Sequence, residues 1–206
     1  LFDSVEALQD ACEQWGKYGN LYTSLNRPPS HLRPGNAMRK AGQGITLRDQ
    51  DNERIVRLTF DFDPVRPTGM ASTDEELQAA IDQRNHFVES LLALGWPMPA
   101  MATSGNGAHA VYRVLLKNDQ ATVDMLRWLY RGMQRDFSNE QALFDPTVRN
   151  ASRIWRLYGS VNRKGEPTVE RPHRVAEVVL PSRWNAVAPD QVLQLAARYQ
   201  AEKEHH

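Results

Sequence analysis

Three carboxylates and a histidine carry the chemistry this chain can offer. Asp61 and Asp63 stand two residues apart in "RLTFDFDPVRP", residues 57 to 67, and Asp145 in "ALFDPTVRN" again follows apolar residues and precedes a proline. In a strand, residues two apart share a face, so the Asp61 and Asp63 carboxylates are expected roughly 7 Å apart along the backbone. Like charges at that spacing are costly in a half-buried sheet unless something positive sits between them. Three carboxylates delivered from strand ends can hold two Mg²⁺ or Mn²⁺ ions, which take oxygen ligands and keep positions open for phosphates. A lone D-x-D is better explained by capping or salt bridging; the third acid shifts the balance toward a metal.

Two further segments suit a phosphate-bearing partner. "TSGNGAH", residues 103 to 109, offers backbone N–H groups at Gly105 and Gly107, the Ser104 hydroxyl and the His109 ring, although Lys is missing for a Walker A loop. Taken alone, this segment is better read as an ordinary hairpin turn with a surface histidine; its neighbours give it weight. "RNASRIWRLYGSVNRKG", residues 149 to 165, sets Arg153, Arg156, Arg163 and Lys164 around a short apolar strand. Forked guanidinium donors match phosphate oxygens, and Asn150 or Asn162 can bond a sugar or base edge. Trp155 and Tyr158 can stack on a base, but sheet packing is the commoner use of strand aromatics.

The elements that must position these groups can be read from periodicity. Val5, Leu8, Cys12 and Trp15 fall at helical spacing before Gly16 and Gly19, and residues 20–26 alternate as a strand. Residues 27–50 read as a long Arg/Pro/Gly-rich loop. In the acidic strand, Val56, Leu58, Phe60 and Phe62 are expected in the core, with Arg57, Thr59, Asp61 and Asp63 opposite and Pro64 ending strand pairing. Thr73 with Asp74 to Glu76 predicts a capping box for a helix with Leu77, Ile81, Val88, Leu91 and Leu92 inside, ending at Gly95. Residues 99–116 predict a hairpin. A second helix follows, capped by Asn118 or Asp119, with Val123, Leu126, Leu129 and Met133 inside. Residues 152–161 and 174–180 read as strands, and Pro189 opens a last helix through Leu193, Leu195 and Ala197. Helices and strands mix without strict alternation, which predicts an α+β fold with an antiparallel or mixed sheet.

Composition narrows the class. With 206 residues and 41% hydrophobic content the chain can form one cored domain, in one body or two lobes. No apolar run approaches membrane-spanning length and no hydrophobic leader is visible, so a cytoplasmic protein is expected. Cys12 is the single cysteine, which rules out an internal disulfide and a cysteine-rich zinc site and suggests a buried thiol. The 25 basic and 25 acidic residues cancel, yet from Arg149 to Arg174 seven Lys or Arg accompany only two Glu. A positive patch opposite the carboxylates is expected. The chain starts at Leu1 and reads as a fragment of a longer polypeptide, and residues 203–206, ending in His205 and His206, suit a vector-derived remnant.

Taken in order, "DFD", "SGNGAH" and "FDP…NASRIWRLYGSVNRKG" resemble the motifs of the archaeo-eukaryotic primase superfamily, in particular its prim-pol branch from plasmid, phage and CRISPR-associated proteins. The likeness runs from about Asn20 to Leu180, with Tyr158 where the family usually has proline and Ser160 where it often has threonine. The resemblance implies a single two-lobed primase-polymerase catalytic domain over residues 1–206, an N-terminal α/β lobe packed on an RRM-like lobe. It implies template-directed, two-metal nucleotidyl transfer that starts and extends primers from ribo- or deoxyribonucleoside triphosphates on single-stranded DNA. It gives Asp61, Asp63 and Asp145 to Mg²⁺ or Mn²⁺, without zinc. Ser104, Gly105, Gly107, His109 and Arg153 go to the triphosphate, with Arg156, Asn162 and Lys164 as further nucleotide contacts. Fusion to, or association with, other replication or CRISPR-adaptation modules is implied by the resemblance alone. The residues themselves also suit a metal-dependent nuclease or phosphodiesterase, or a non-catalytic binder of nucleotides or single strands; concentrated negative charge near phosphates counts against the last.

Overall fold

The computed structural model describes residues 1–26, 28–29, 31, 35–40 and 47–204. Much of the predicted loop 27–50, and both terminal histidines, lie outside the described residues. In chain order the elements are α1 (Val5–Trp15), β1 (Tyr22–Ser24), β2 (Arg54–Pro64), α2 (Asp74–Ala93), β3 (Ala100–Thr103), β4 (Ala108–Lys117), α3 (Gln120–Phe137), β5 (Ala142–Phe144), β6 (Ile154–Arg156), β7 (Val161–Asn162), β8 (Arg174–Val175), β9 (Glu177–Val179) and α4 (Pro189–Glu204). The fold is α+β. Five strands form one antiparallel sheet in the order β5-β2-β4-β3-β9, and β1-β6 and β7-β8 form two small antiparallel ribbons.

Strand alternation gives β2 two different faces. Leu58, Phe60 and Phe62 are buried against the helices: the Phe60 ring lies 4.9 Å from Phe87 of α2 and 5.1 Å from Tyr130 of α3, and Phe62 lies 5.4 Å from Phe144. Each such ring contributes on the order of 2 kcal/mol by burial, so the core fixes which way the odd residues point. Thr59, Asp61 and Asp63 therefore face the opposite side.

The start of β2 departs from simple alternation. Ile55, rather than Val56, shares the core face, because the register with β4 shifts between Ile55 and Arg57. The irregularity is held by buried Asn26, whose Oδ1 accepts from the N–H groups of Val56 (2.8 Å) and Arg57 (3.1 Å) while its Nδ2 donates to Ala151 C=O (2.9 Å). At the other end Pro64 does not end pairing. Its register continues opposite Ala142 of β5, and Val65 N–H reaches Gln141 C=O. The position tolerates proline because residue 64 turns its nitrogen toward β4, which has already stopped at Ala108.

The helix boundaries follow the sequence signals. Thr73 and Glu76 form the capping box of α2, Gly95 takes φ +80° after its end, and Asp119 caps α3 through Thr122 N–H. Buried faces differ in detail. On α2 Leu92 is exposed while Ala80, Arg84 and Phe87 go inside; on α4 Val192, Leu195, Ala196 and Tyr199 are buried and Leu193 and Ala197 are exposed. The stripe expected on α1 is mostly outside: only Ala11 is buried, Val5 and Trp15 are exposed, and Cys12 is half-buried rather than buried. The two long strands expected near the end are shorter. Gly159 at φ +87° and a Ser160 Oγ–Leu157 C=O bond turn the chain between β6 and β7. Ala176 separates β8 from β9 by pairing its N–H with Ser160 C=O and its C=O with Gly159 N–H.

Candidate active site

The sheet brings the sequence motifs together through backbone register. Asp61 of β2 lies opposite His109 of β4, and Asp145, just past β5, donates its N–H to Asp61 C=O at 2.9 Å. On the acidic face β6 closes the other wall: the Trp155 ring packs 4.4 Å from His109. Between them opens a cleft of about 370 Å³ lined by Asp61, Asp63 and Asp145 together with Ser104 and His109. Arg153, Arg156, Asn162 and Lys164 complete the same cleft. Gly105 and Gly107 do not line it, whereas Asn106 between them does.

The glycine turn acts sterically. Ser104 Oγ accepts from the N–H groups of Asn106 (3.3 Å) and Gly107 (2.9 Å), so those two donors are occupied inside the turn. A Cβ on Gly107 would stand 2.7 Å from Phe62 C=O and 3.2 Å from Asp63 Oδ1, and glycine is what allows the turn to lie against the acidic strand. Asn162 fastens the turn from the other wall, donating Nδ2 to Ser104 C=O at 2.7 Å.

Each carboxylate has a different protein partner. His109 Nε2 lies 3.4 Å from Asp61 Oδ1, Arg66 Nη2 lies 3.1 Å from Asp63 Oδ1, and Asp145 Oδ1 accepts from Thr147 N–H at 2.7 Å. Among the described residues no three acidic, histidine or cysteine side chains stand close enough, as placed, to cage an ion. The donor set nevertheless suits a hard divalent cation: all three acids offer carboxylate oxygens to one cleft, and two of them repel. Burial first, and then the charge of Asp61, push the Asp63 carboxyl above its usual value, while Arg66 and Lys164 pull it down. Its side chain still exposes 49% of its surface, so the group remains reachable from the cleft.

A hydrogen-bond chain orients His109. Trp155 Nε1–H, which can only donate, reaches Tyr158 Oη at 2.7 Å, and Tyr158 Oη lies 3.0 Å from His109 Nδ1. Burial raises the tyrosine pKa, so the phenol keeps its proton. When that proton is given to Nδ1, the ring's own N–H sits on Nε2, which faces Asp61. Trp155 of β6 and Tyr158 of the following turn thus serve packing and orientation.

The basic run divides in two. Arg171 pairs with Glu76 at 2.7 Å and Arg174 with Asp74 at 2.5 Å, tying β8 and the segment before it to the first turn of α2. Arg153, Arg156 and Lys164 face the cleft. Sequence reasoning missed Arg66, which follows Asp63 by three residues and whose Nη1 also holds Asn106 C=O at 3.3 Å. It also missed Tyr22 and Asn20, which line the cleft from the other end of the chain. Arg66 was legible as the cation nearest the D-x-D; Tyr22 carried no local signal.

No protein-family model matches the chain, and no curated protein matches it. Among solved structures it is similar to the AEP domain of the cyanophage S-2L primase-polymerase, with 18% identity and a TM-score of 0.49 over 94% of this chain and 77% of that one.

Two outcomes are expected. The native state binds the Asp63 proton more tightly than the unfolded chain, so the cost of ionising Asp63 is full above its raised native pKa. That cost shrinks as pH falls through the native value and vanishes below the unfolded value near 4. The melting temperature of Asp63→Asn minus that of wild type should therefore decrease from pH 7 to about pH 4; a difference that grows on acidification contradicts this. Tyr158→Phe leaves the Trp155 and His109 nitrogens without their shared partner, and urea denaturation should show a loss of about 1–3 kcal/mol. Ring-nitrogen NMR should show that His109 has lost its preference for the Nε2–H tautomer, and an unchanged tautomer would refute the orientation chain.

Proposed function

We propose that this chain is a primase-polymerase catalytic domain that joins nucleotides on a single-stranded DNA template. The observation that supports this reading is the convergence of Asp61, Asp63, Asp145, His109, Arg153 and Lys164, from well separated segments, on one cleft. The motifs that resemble the prim-pol branch are the segments that meet there.

Asp61 and Asp63, with Asp145, would hold Mg²⁺ or Mn²⁺. Such ions, when bound, activate a 3′-hydroxyl and neutralise charge on the leaving pyrophosphate. The side chains do the rest. His109 offers one oriented Nε2–H donor, and Arg153 and Lys164 present positive charge to a triphosphate whose negative charge grows at the leaving oxygen. The 3′-oxygen forms the new bond to the α-phosphorus as the bond to the β-phosphate oxygen breaks, and the hydroxyl proton leaves to solvent. No side-chain nucleophile is required.

Incubation with a single-stranded template, Mn²⁺ and labelled nucleoside triphosphates should give template-dependent products, and Asp61→Ala should lower the rate at least about a hundredfold. Undiminished synthesis by the folded variant would reject the metal-binding role of Asp61. Strand degradation that needs no added nucleotides would instead assign a nuclease, and strand binding with neither reaction a non-catalytic module.

A further inference from the structure

Beyond the acidic centre, the cleft contains a cation whose hydrogen bonds are incomplete. Arg156 exposes only 9% of its surface, and among the described residues it has no carboxylate partner. Its Nη2 donates to Tyr22 Oη at 3.1 Å, while its Nε and Nη1 have no hydrogen-bond partner. A buried guanidinium with two unmade bonds is costly, and its fork matches the oxygens of a phosphate. The same guanidinium lies 4.5 Å from the centroid of the Tyr22 ring. That ring is held on one face by the cation and at its hydroxyl by Nη2, yet Tyr22 is 46% exposed and lines the cleft.

A fixed aromatic ring with one open face, beside a phosphate donor, matches one nucleotide of a strand: base on the ring, phosphate on the arginine. From Asn20, which also lines the cleft and accepts from Arg163 N–H at 2.7 Å, the chain leads back to the end of α1. Tyr18 is 81% and Trp15 46% exposed, Tyr18 N–H bonds Trp15 C=O at 3.0 Å, Lys17 lies between them, and Arg163 Nε reaches Gly16 C=O at 3.1 Å. Aromatic rings interleaved with cations over this length suit several nucleotides rather than one. We infer that Tyr22 and Arg156 form a stacking seat for single-stranded DNA, the first step of a track that continues over Tyr18 and Trp15 at the end of α1. This shares with the proposed function the premise that the cleft takes nucleic acid, and it names the surface that holds the strand.

The test is binding, measured without divalent cations. A fluorescently labelled short oligothymidylate, an abasic strand of equal length and a fluorescent nucleoside triphosphate are each titrated in EDTA into wild type, Tyr22→Ala and Tyr22→Phe, with circular dichroism confirming the fold of each. Tyr22→Ala should bind the oligothymidylate about tenfold more weakly, Tyr22→Phe close to wild type, and all three should bind the abasic strand alike. Wild-type affinity of Tyr22→Ala for the oligothymidylate would overturn the assignment. So would a loss confined to free nucleoside triphosphate, which would place the incoming nucleotide on the ring instead. Because no synthesis is measured, failure here leaves the catalytic reading standing, and an enzyme that fails to prime can still pass.

Discussion

Two aspartates one pleat apart on a strand whose other face is core cannot turn away from each other. The burial of Phe60 and Phe62 holds Asp61 and Asp63 on the same side of β2, where burial first and then the charge of Asp61 raise the Asp63 carboxyl above its usual value. The surroundings answer that repulsion with separate partners: His109 across the ladder for Asp61, Arg66 along the chain for Asp63, and Lys164 from beyond β7. Relaxing the strand to separate the charges would expose the aromatic core, so the cleft keeps a concentrated negative wall in the folded state.

Opposite that wall, position in the fold gives similar residues different tasks. Arg171 and Arg174 are bound by acids of the α2 first turn and act as structural clamps, with Glu76 serving both the capping box and Arg171. Arg153 and Arg156 keep donor atoms without partners at the cleft. The distinction depends on tertiary placement alone, since all four occur in one basic stretch. The Trp155–Tyr158–His109 chain adds orientation to charge: it holds the histidine ring with Nε2 toward Asp61 on the acidic strand.

Much of this was legible in the sequence. The core alternation at Phe60 and Phe62, the Thr73–Glu76 cap and the hairpin around Ser104–Gly107 are local signals, and local signals need only neighbouring residues. The three acids, Ser104, His109, Arg153, Arg156, Asn162 and Lys164 were all candidates, and all line the cleft. What could not be read was long-range. The irregularity at Val56 depends on Asn26, the break at Ala176 on bonds to Gly159 and Ser160, and the place of Tyr22 on its pairing opposite Arg156. Gly107 was legible as a special residue, but its steric role against Phe62 and Asp63 appears only when the strands are assembled. On α1, periodicity predicted a buried stripe where the fold leaves Val5 and Trp15 uncovered, because helical spacing shows that a face exists and not that something packs on it.

In the proposed function the repelling carboxylates of β2 and the acid that follows β5 would share divalent cations next to a triphosphate. Anomalous diffraction from crystals soaked with Mn²⁺ and a non-hydrolysable nucleoside triphosphate measures this directly. Manganese peaks are expected within coordinating distance of Asp61, Asp63 and Asp145, with the triphosphate against His109 and Arg153. Manganese bound elsewhere, or a triphosphate seated away from these acids, would contradict it.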